Sequence, residues 1–214
     1  HDPAIIVGRP SFGKALIMQG MPLTDGSLMM LVVGHMKTPC GRILQRQYRQ
    51  VRTTDYYRRA GALGDTVGRP TCQSASGRTL YGGGGVYPDI VLDEPPATPV
   101  WLATLREQGH AIKWAGARLA SPQGAPDKVE AYLNDTFVDA PQLAEFRRTA
   151  KSDGIDIPPG DAADVLMRRE LSAATARAKL GEGAYYRVRL AHDHWLAAAV
   201  QAFDAASVLK GPKS

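Results

Sequence analysis

The spacing of apolar and polar positions changes along the chain near residue 93. Before this point, short apolar runs alternate with Gly- and Pro-containing turns, which is typical of β-strands. Residues 94–99 are rich in proline and predict a stiff linker. Beyond them the apolar residues recur with helical spacing. The pattern predicts a β-rich region over 1–93 and a helical region over 100–214, and so an α/β fold of the α+β kind.

Several helix ends in the second region carry recognisable signals. Asp139 predicts an N-cap, with Gln142 as its capping-box partner, for a helix that runs to about Lys151. A second helix is expected to begin at Asp161 and to stop at Gly181. A last helix is expected from about 193, with an apolar stripe packed against the protein core. That stripe consists of Trp195, Leu196, Val200, Phe203 and Ser207.

Residues 5–14 form the most informative segment, an apolar run that enters a glycine-flanked turn and ends at Lys14. Part of the phosphate-binding loop template is present, but Ala15 replaces the Ser or Thr that would hold magnesium. Such a loop also needs a helix directly after it. Here Gly and Pro interrupt the next residues, and 27–33 is again short and apolar, so strands are predicted. Nucleotide binding is therefore a remote alternative.

Four short motifs occur in a distinctive order along the first region. They are Val-Gly-Arg-Pro-Ser-Phe-Gly-Lys (7–14), Pro-Leu-Thr-Asp-Gly-Ser (22–27), Thr-Pro-Cys-Gly-Arg (38–42) and Gly-Gly-Gly-Val-Tyr-Pro-Asp-Ile (83–90). In this order and spacing, residues 4–92 resemble the carboxyl-terminal processing peptidases, also called tail-specific proteases. The resemblance implies a crotonase-like, β-rich peptidase core fragment over 1–93, followed by a helical C-terminal extension.

The resemblance further implies that Lys14 is the general base of a serine-type endopeptidase with a Ser–Lys dyad. A lysine amine becomes a base near neutral pH only when burial disfavours its charged form. Apolar residues suited to wrap it are Phe12, Leu16, Ile17 and Met18. The family's nucleophilic serine lies upstream of His1, so this chain alone is expected to be inactive. Ser11 is expected to be a turn hydroxyl that bonds local backbone.

One departure from the family pattern concerns a glutamine that normally follows the lysine by four positions. Met18 stands there, and Gln19 comes one residue later. Neighbouring strand residues point to opposite faces, so Gln19 replaces the missing amide only if a bulge resets the register. This departure keeps open a second function, that of a catalytically inactive, peptidase-like peptide-binding protein.

The net charge of +5 arises entirely from the residues before 94. Much of it lies in one basic segment with interleaved tyrosines: Arg42, Arg46, Arg49, Arg52, Arg58 and Arg59, with Tyr48, Tyr56 and Tyr57. A solvated surface is the default interpretation of such a segment. A groove for a peptide carboxylate and an anionic membrane surface remain alternatives, whereas no companion motif indicates nucleic acid.

The remaining candidate sites are weaker. Cys40 and Cys72 either bridge in an oxidising compartment or are buried free thiols. His192 and His194 diverge on a helix, so they indicate a helix start and not a metal site. No cofactor is expected. By resemblance, the substrates are proteins bound by their C-terminal ends, and the compartment is the bacterial cell envelope, either periplasmic or membrane-associated.

Overall fold

The protein has a mixed α/β structure. The computed structural model describes residues 4–58, 66–134 and 136–205. These residues form two compact units, one of 4–94 with 197–205 and the other of 95–196. The first unit contains small β-sheets and the second is helical, so the predicted mixture of strands and helices is confirmed at this level.

The first unit is built from short strands. They are β1 (Val7–Gly8), β2 (Leu16–Pro22), β3 (Leu28–His35), β4 (Thr71–Gln73), β5 (Thr79–Tyr81) and β6 (Ile90–Val91), with helix α1 (Thr53–Arg58) between β3 and β4. β1 pairs in parallel with β6, whereas β2 with β3 and β4 with β5 are antiparallel hairpins. A strand, and not a helix, therefore follows Lys14. This confirms the prediction and removes the helix that a phosphate-binding loop requires.

The β2–β3 hairpin closes through a turn centred on Asp25. The Leu23 amide donates to the Ser27 carbonyl over 2.8 Å, and Asp25 Oδ1 accepts from the Ser27 hydroxyl at 2.7 Å and the Ser27 amide at 2.9 Å. These hydrogen bonds, the one from the hydroxyl first, lower the pKa of Asp25. The hairpin is thus closed by local turn chemistry.

Both sides of the β2–β3 hairpin carry exposed apolar side chains. Successive strand residues face opposite sides, and here exposure continues through both strands. The exposed fraction lies between 38% and 62% for Ile17, Met18, Met21, Leu28, Met29, Met30, Leu31, Val32 and Val33. Such a continuous apolar composition is typical of strands that are buried on both faces. Here, however, the side chains of both strands are exposed to solvent.

The second unit is helical. Its helices are α2 (Val100–Glu107), α3 (His110–Ala120), α4 (Glu130–Leu133), α5 (Ala140–Ser152), α6 (Asp161–Leu180) and α7 (Glu182–Leu190), followed by α8 (His194–Gln201), which continues past the unit. The core centres on α6, where Met167 and Leu171 are at most 1% exposed and belong to the same cluster as Leu143 and Phe146 of α5. Gly181 ends α6 and the capping box at the start of α5 is present, as predicted.

Helix α8 starts as expected but does not pack as expected. Asp193 Oδ1 accepts from the Trp195 and Leu196 amides at 2.8 and 3.0 Å, which confirms a capped helix start beside the two histidines. The expectation that its apolar stripe is packed is wrong for Leu196, Val200 and Phe203, which are 44%, 56% and 70% exposed, whereas Trp195 is half-buried. No described residue of α8 itself is buried; Ala202, directly after the helix, is 8% exposed. Ser207 lies outside the described residues.

Across the described part of the chain, every helix is too short or too polar to cross a bilayer.

Candidate functional site

The first and last of the four motifs meet directly in the structure. Parallel pairing sets Val7 of β1 opposite Ile90 of β6. Further along, the Ser11 amide donates to the Val86 carbonyl, and the Val86 amide donates to Ser11 Oγ, each over 2.9 Å. Ser11 therefore bonds backbone, as expected, but backbone 75 positions away and not its own turn. The hydroxyl ties two distant segments together.

The turn before Lys14 requires glycine at Gly13. Its φ of +88° is a region that residues with a Cβ rarely adopt. A Cβ on Gly13 would also lie 2.7 Å from the Gly85 amide nitrogen and 3.0 Å from the Gly84 carbonyl carbon, inside contact distance for backbone atoms. The segment that ends at Lys14 is therefore fixed by a close approach of two backbones.

Two buried polar residues hold this turn in place: Gln45, which the sequence did not indicate, and Arg46, which was expected only as part of a basic segment. Arg46 is 6% exposed and donates from Nε to the Phe12 carbonyl at 2.9 Å and from Nη2 to the Gly84 carbonyl at 3.3 Å. Gln45 is 9% exposed; its Oε1 accepts from the Ala15 amide at 2.8 Å, and its Nε2 donates to the Arg46 carbonyl. The backbone on either side of Lys14 is thus held by residues from a third segment.

The basic segment is only in part the solvated surface that was expected. Besides Arg46, Arg42 is half-buried and donates from Nη1 to the Tyr81 carbonyl at 3.2 Å, and burial lowers its pKa. The expectation is wrong for these two residues, because their guanidinium groups donate to backbone carbonyls of the protein and not to water. The rest of the segment differs: Arg52 and Arg58 form pairs with Asp55, Tyr48 and Arg49 are exposed, and Arg59 lies outside the described residues.

Lys14 itself is exposed. Its Nζ lies 4.8 Å from the centre of the Phe12 ring, a cation–π contact, and Phe12 packs in turn against Tyr56 and Tyr57 at 5.3 and 5.6 Å between ring centres. The expected apolar burial of Lys14 is wrong for the described residues. Phe12 lies against the amine, but β2 turns its apolar side chains to solvent, with Ile17 and Met18 48% and 53% exposed.

A bulge is present at Met18, although not in the form that would exchange the two side chains. Ile17 pairs with Gly34 and Met18 with Val32, so Val33 of β3 is the extra residue. The insertion belongs to the partner strand, and β2 keeps its regular alternation. Gln19 therefore does not take the face of Met18. Instead, the side-chain amide nearest to Lys14 is that of Gln45, whose Oε1 accepts a hydrogen bond from the Ala15 backbone amide.

The two cysteines form a disulfide. Cys40 and Cys72 are bonded, with 6.3 Å between their Cα atoms and a sequence separation of 32. Of the two alternatives that the sequence leaves open, the bridge is the one found. It connects the 38–42 motif to strand β4 and so restrains the loop that carries Gln45 and Arg46.

Among the described residues, no group of three or more His, Cys, Asp or Glu side chains is arranged to hold a metal ion. Comparison of the chain with protein-family models, curated proteins and solved structures finds no match. The functional assignment therefore depends on the residues and geometry around Lys14.

Proposed function

We propose that the chain is the C-terminal part of the catalytic domain of a Ser–Lys endopeptidase of the carboxyl-terminal processing family, with a crotonase-like core. The observation that carries the proposal is the convergence of separated motifs on one turn. Segment 83–90 and residues 45–46, which follow the 38–42 motif, both bond to the backbone of 11–15 that presents Lys14. A general base needs such a fixed position relative to its nucleophile.

In the proposed reaction, the neutral amine of Lys14 takes the proton of a serine hydroxyl as the serine oxygen attacks the scissile carbonyl. The peptide C–N bond then breaks, the amine product leaves with a proton, and water hydrolyses the acyl-enzyme. We propose that this serine, and the rest of the catalytic domain, precede His1. Phe12 covers one side of the amine, and we propose that the upstream part of the domain covers the β2–β3 hairpin and desolvates Lys14.

The proposed substrates are proteins recognised by their C-terminal ends, and the proposed compartment is the bacterial cell envelope, in the periplasm or at the membrane. The Cys40–Cys72 disulfide supports an exported protein, because such bonds persist in oxidising compartments.

The test uses the polypeptide extended upstream of His1 to include the expected serine. Lys14→Ala should abolish both peptide hydrolysis and labelling by a fluorophosphonate, since both need an activated serine. Lys37→Ala is the matched control, because Lys37 is another exposed lysine of the same unit, and it should keep both activities. Hydrolysis retained in Lys14→Ala, with Lys37→Ala equally active, would refute the base assignment.

A catalytically inactive, peptidase-like peptide-binding protein is the second candidate. It is favoured by the exposure of Lys14 and by Met18 at the position where the family has glutamine. This function predicts saturable binding of peptides with free C-terminal carboxylates but no hydrolysis in the extended polypeptide. Measurable turnover that depends on Lys14 would exclude it.

A further inference from the structure

A second site lies in the helical unit, where a cavity of about 360 Å³ is lined by more cations than anions. Its positive groups are three arginines: Arg106 of α2, Arg169 of α6 and Arg189 of α7. The carboxylates in the lining are Glu170 and Asp193, and two histidines, His192 and His194, complete the polar wall. The volume is at the small end of the range for ligand sites, which suits one compact chemical group.

Both carboxylates of the lining are already engaged. Glu170 is 11% exposed in its side chain, and its Oε2 accepts from Arg106 Nε at 2.9 Å, from Arg106 Nη2 at 2.7 Å and from Arg189 Nη1 at 2.9 Å. Asp193 Oδ1 caps the start of α8. One carboxylate oxygen thus serves two guanidinium groups, and the third arginine is left without a counter-ion from these groups.

Arg169 is that third arginine, and its hydrogen bonding differs from that of the other arginines whose Nε is buried. In the described chain, a buried Nε without a hydrogen-bond partner occurs in Arg42, Arg118, Arg147 and Arg169. The first three each donate through another guanidinium nitrogen, to Tyr81, Ser121 and Asp164 respectively. No hydrogen bond or ion pair of Arg169 occurs within the described residues. A guanidinium group with a buried donor and no acceptor is an unfavourable arrangement that an anion would relieve.

The charge and donor geometry indicate the class of ligand. A guanidinium fork matches the oxygen spacing of phosphate and carboxylate groups, and Glu170 presents little unpaired negative charge to a ligand because two guanidinium groups already bond its Oε2. A phosphate group, with its higher charge and additional acceptor oxygens, uses an arginine fork beside two further guanidinium groups better than a carboxylate does. We propose that this cavity binds a phosphate group through Arg169, with the Arg106–Glu170–Arg189 cluster as the positively charged wall.

The experiment measures binding of inorganic phosphate to the chain by titration calorimetry and by thermal unfolding, at constant ionic strength set with chloride. Arg169→Met should weaken phosphate binding at least tenfold, or about 1.4 kcal/mol. It should not lower the melting temperature without phosphate, because Arg169 has no hydrogen bond or ion pair to lose among the described residues. Arg169→Lys keeps the charge but loses the fork, so intermediate affinity is expected. Arg148→Met is the matched control; Arg148 is exposed on α5 and outside the cavity lining, so phosphate should bind as in the wild type.

Two further arms distinguish the ligand class and its source. Acetate should bind more weakly than phosphate. Glycerol 3-phosphate represents a soluble phosphate ester, and vesicles of phosphatidic acid in phosphatidylcholine represent a lipid headgroup. Binding in either arm that is lost in Arg169→Met supports the site and identifies the source. The proposal is overturned if wild type shows no saturable phosphate binding, if the Arg169 variants bind like wild type, or if acetate binds as tightly as phosphate.

Discussion

Replacing Gly13 by alanine tests whether the close backbone approach holds the Lys14 turn. Two effects add at this position. An L-residue in the left-handed region is strained by about 1–2 kcal/mol, and φ is +88° at Gly13. The new methyl group would also stand 2.7 Å from the Gly85 nitrogen, and forcing a carbon into a packed site costs about 1–3 kcal/mol more.

Gly26→Ala separates these two effects. Gly26 has nearly the same φ, +84°, but a Cβ there meets nothing within 4 Å. It should therefore show the backbone strain alone, about 1–2 kcal/mol. The difference between the two variants, about 1–3 kcal/mol, measures the close approach itself.

Hydrogen exchange of individual amides by NMR is the suitable assay, because it reports local opening. The amides of Ser11, Arg46 and Val86 all donate within the site. In Gly13→Ala they should exchange at least about 5- to 150-fold faster than in Gly26→Ala, because the difference of about 1–3 kcal/mol is a lower bound for amides that the strain at Gly26 does not reach. The chain's tryptophans all lie in the 95–196 unit, so unfolding followed by their fluorescence should be the same in both variants. Equal exchange rates at the three amides would refute the role assigned to the close approach.

Three further predictions concern single features. Reduction of the Cys40–Cys72 bond should lower the free energy of unfolding of the first unit by about 3–4 kcal/mol, because the unfolded chain gains conformational entropy when the loop opens. Urea unfolding followed by tyrosine fluorescence checks this. A double serine variant whose stability still changes with reductant would contradict it. Glu170→Gln should destabilise the helical unit by about 1.5–3 kcal/mol, because the nearly buried Glu170 loses its charge-assisted hydrogen bonds to Arg106 and Arg189, whose side chains are about one-third exposed. Glu130→Gln, in an exposed pair with about 60% of each side chain accessible, should change stability by at most about 0.5 kcal/mol. Equal effects in tryptophan-detected unfolding would refute the distinction. Burial raises the pKa of Tyr132 above its usual 10.0, so the neutral phenol favours the folded state below pH 10 and that contribution is lost as pH rises through the raised pKa. Tyr132→Phe should remove this part of the alkaline destabilisation, and an unchanged pH profile of unfolding would show that another group causes it.

The features that the sequence predicted correctly are local ones. The capping box at Asp139, the end of α6 before Gly181 and the strand after Lys14 each depend on a few neighbouring residues. Their hydrogen-bond partners lie within one turn of helix or one hairpin, so residue type and spacing are sufficient to place them.

The features that it missed depend on distant partners. Ser11 bonds Val86, and Arg46 bonds Phe12, across 75 and 34 positions. An arginine in a polar segment carries no local sign that its side chain will be buried. The prediction that the apolar stripe of α8 is packed was wrong for a related reason. Periodicity indicates which side of a helix is apolar, but not whether another element covers that side.

The β2–β3 hairpin and the residue directly after it contain five of the chain's six methionines. Met18, Met21, Met29, Met30 and Met36 are 38% to 53% exposed, whereas Met167 in the helical core is 1% exposed. These are all six methionines of the chain, so peroxide would convert the hairpin selectively into sulfoxides and leave the core intact. Each conversion replaces an apolar thioether with a polar group. Oxidation of these methionines would therefore weaken the binding of the hairpin to apolar surfaces. Methionine sulfoxide reductases would restore that binding.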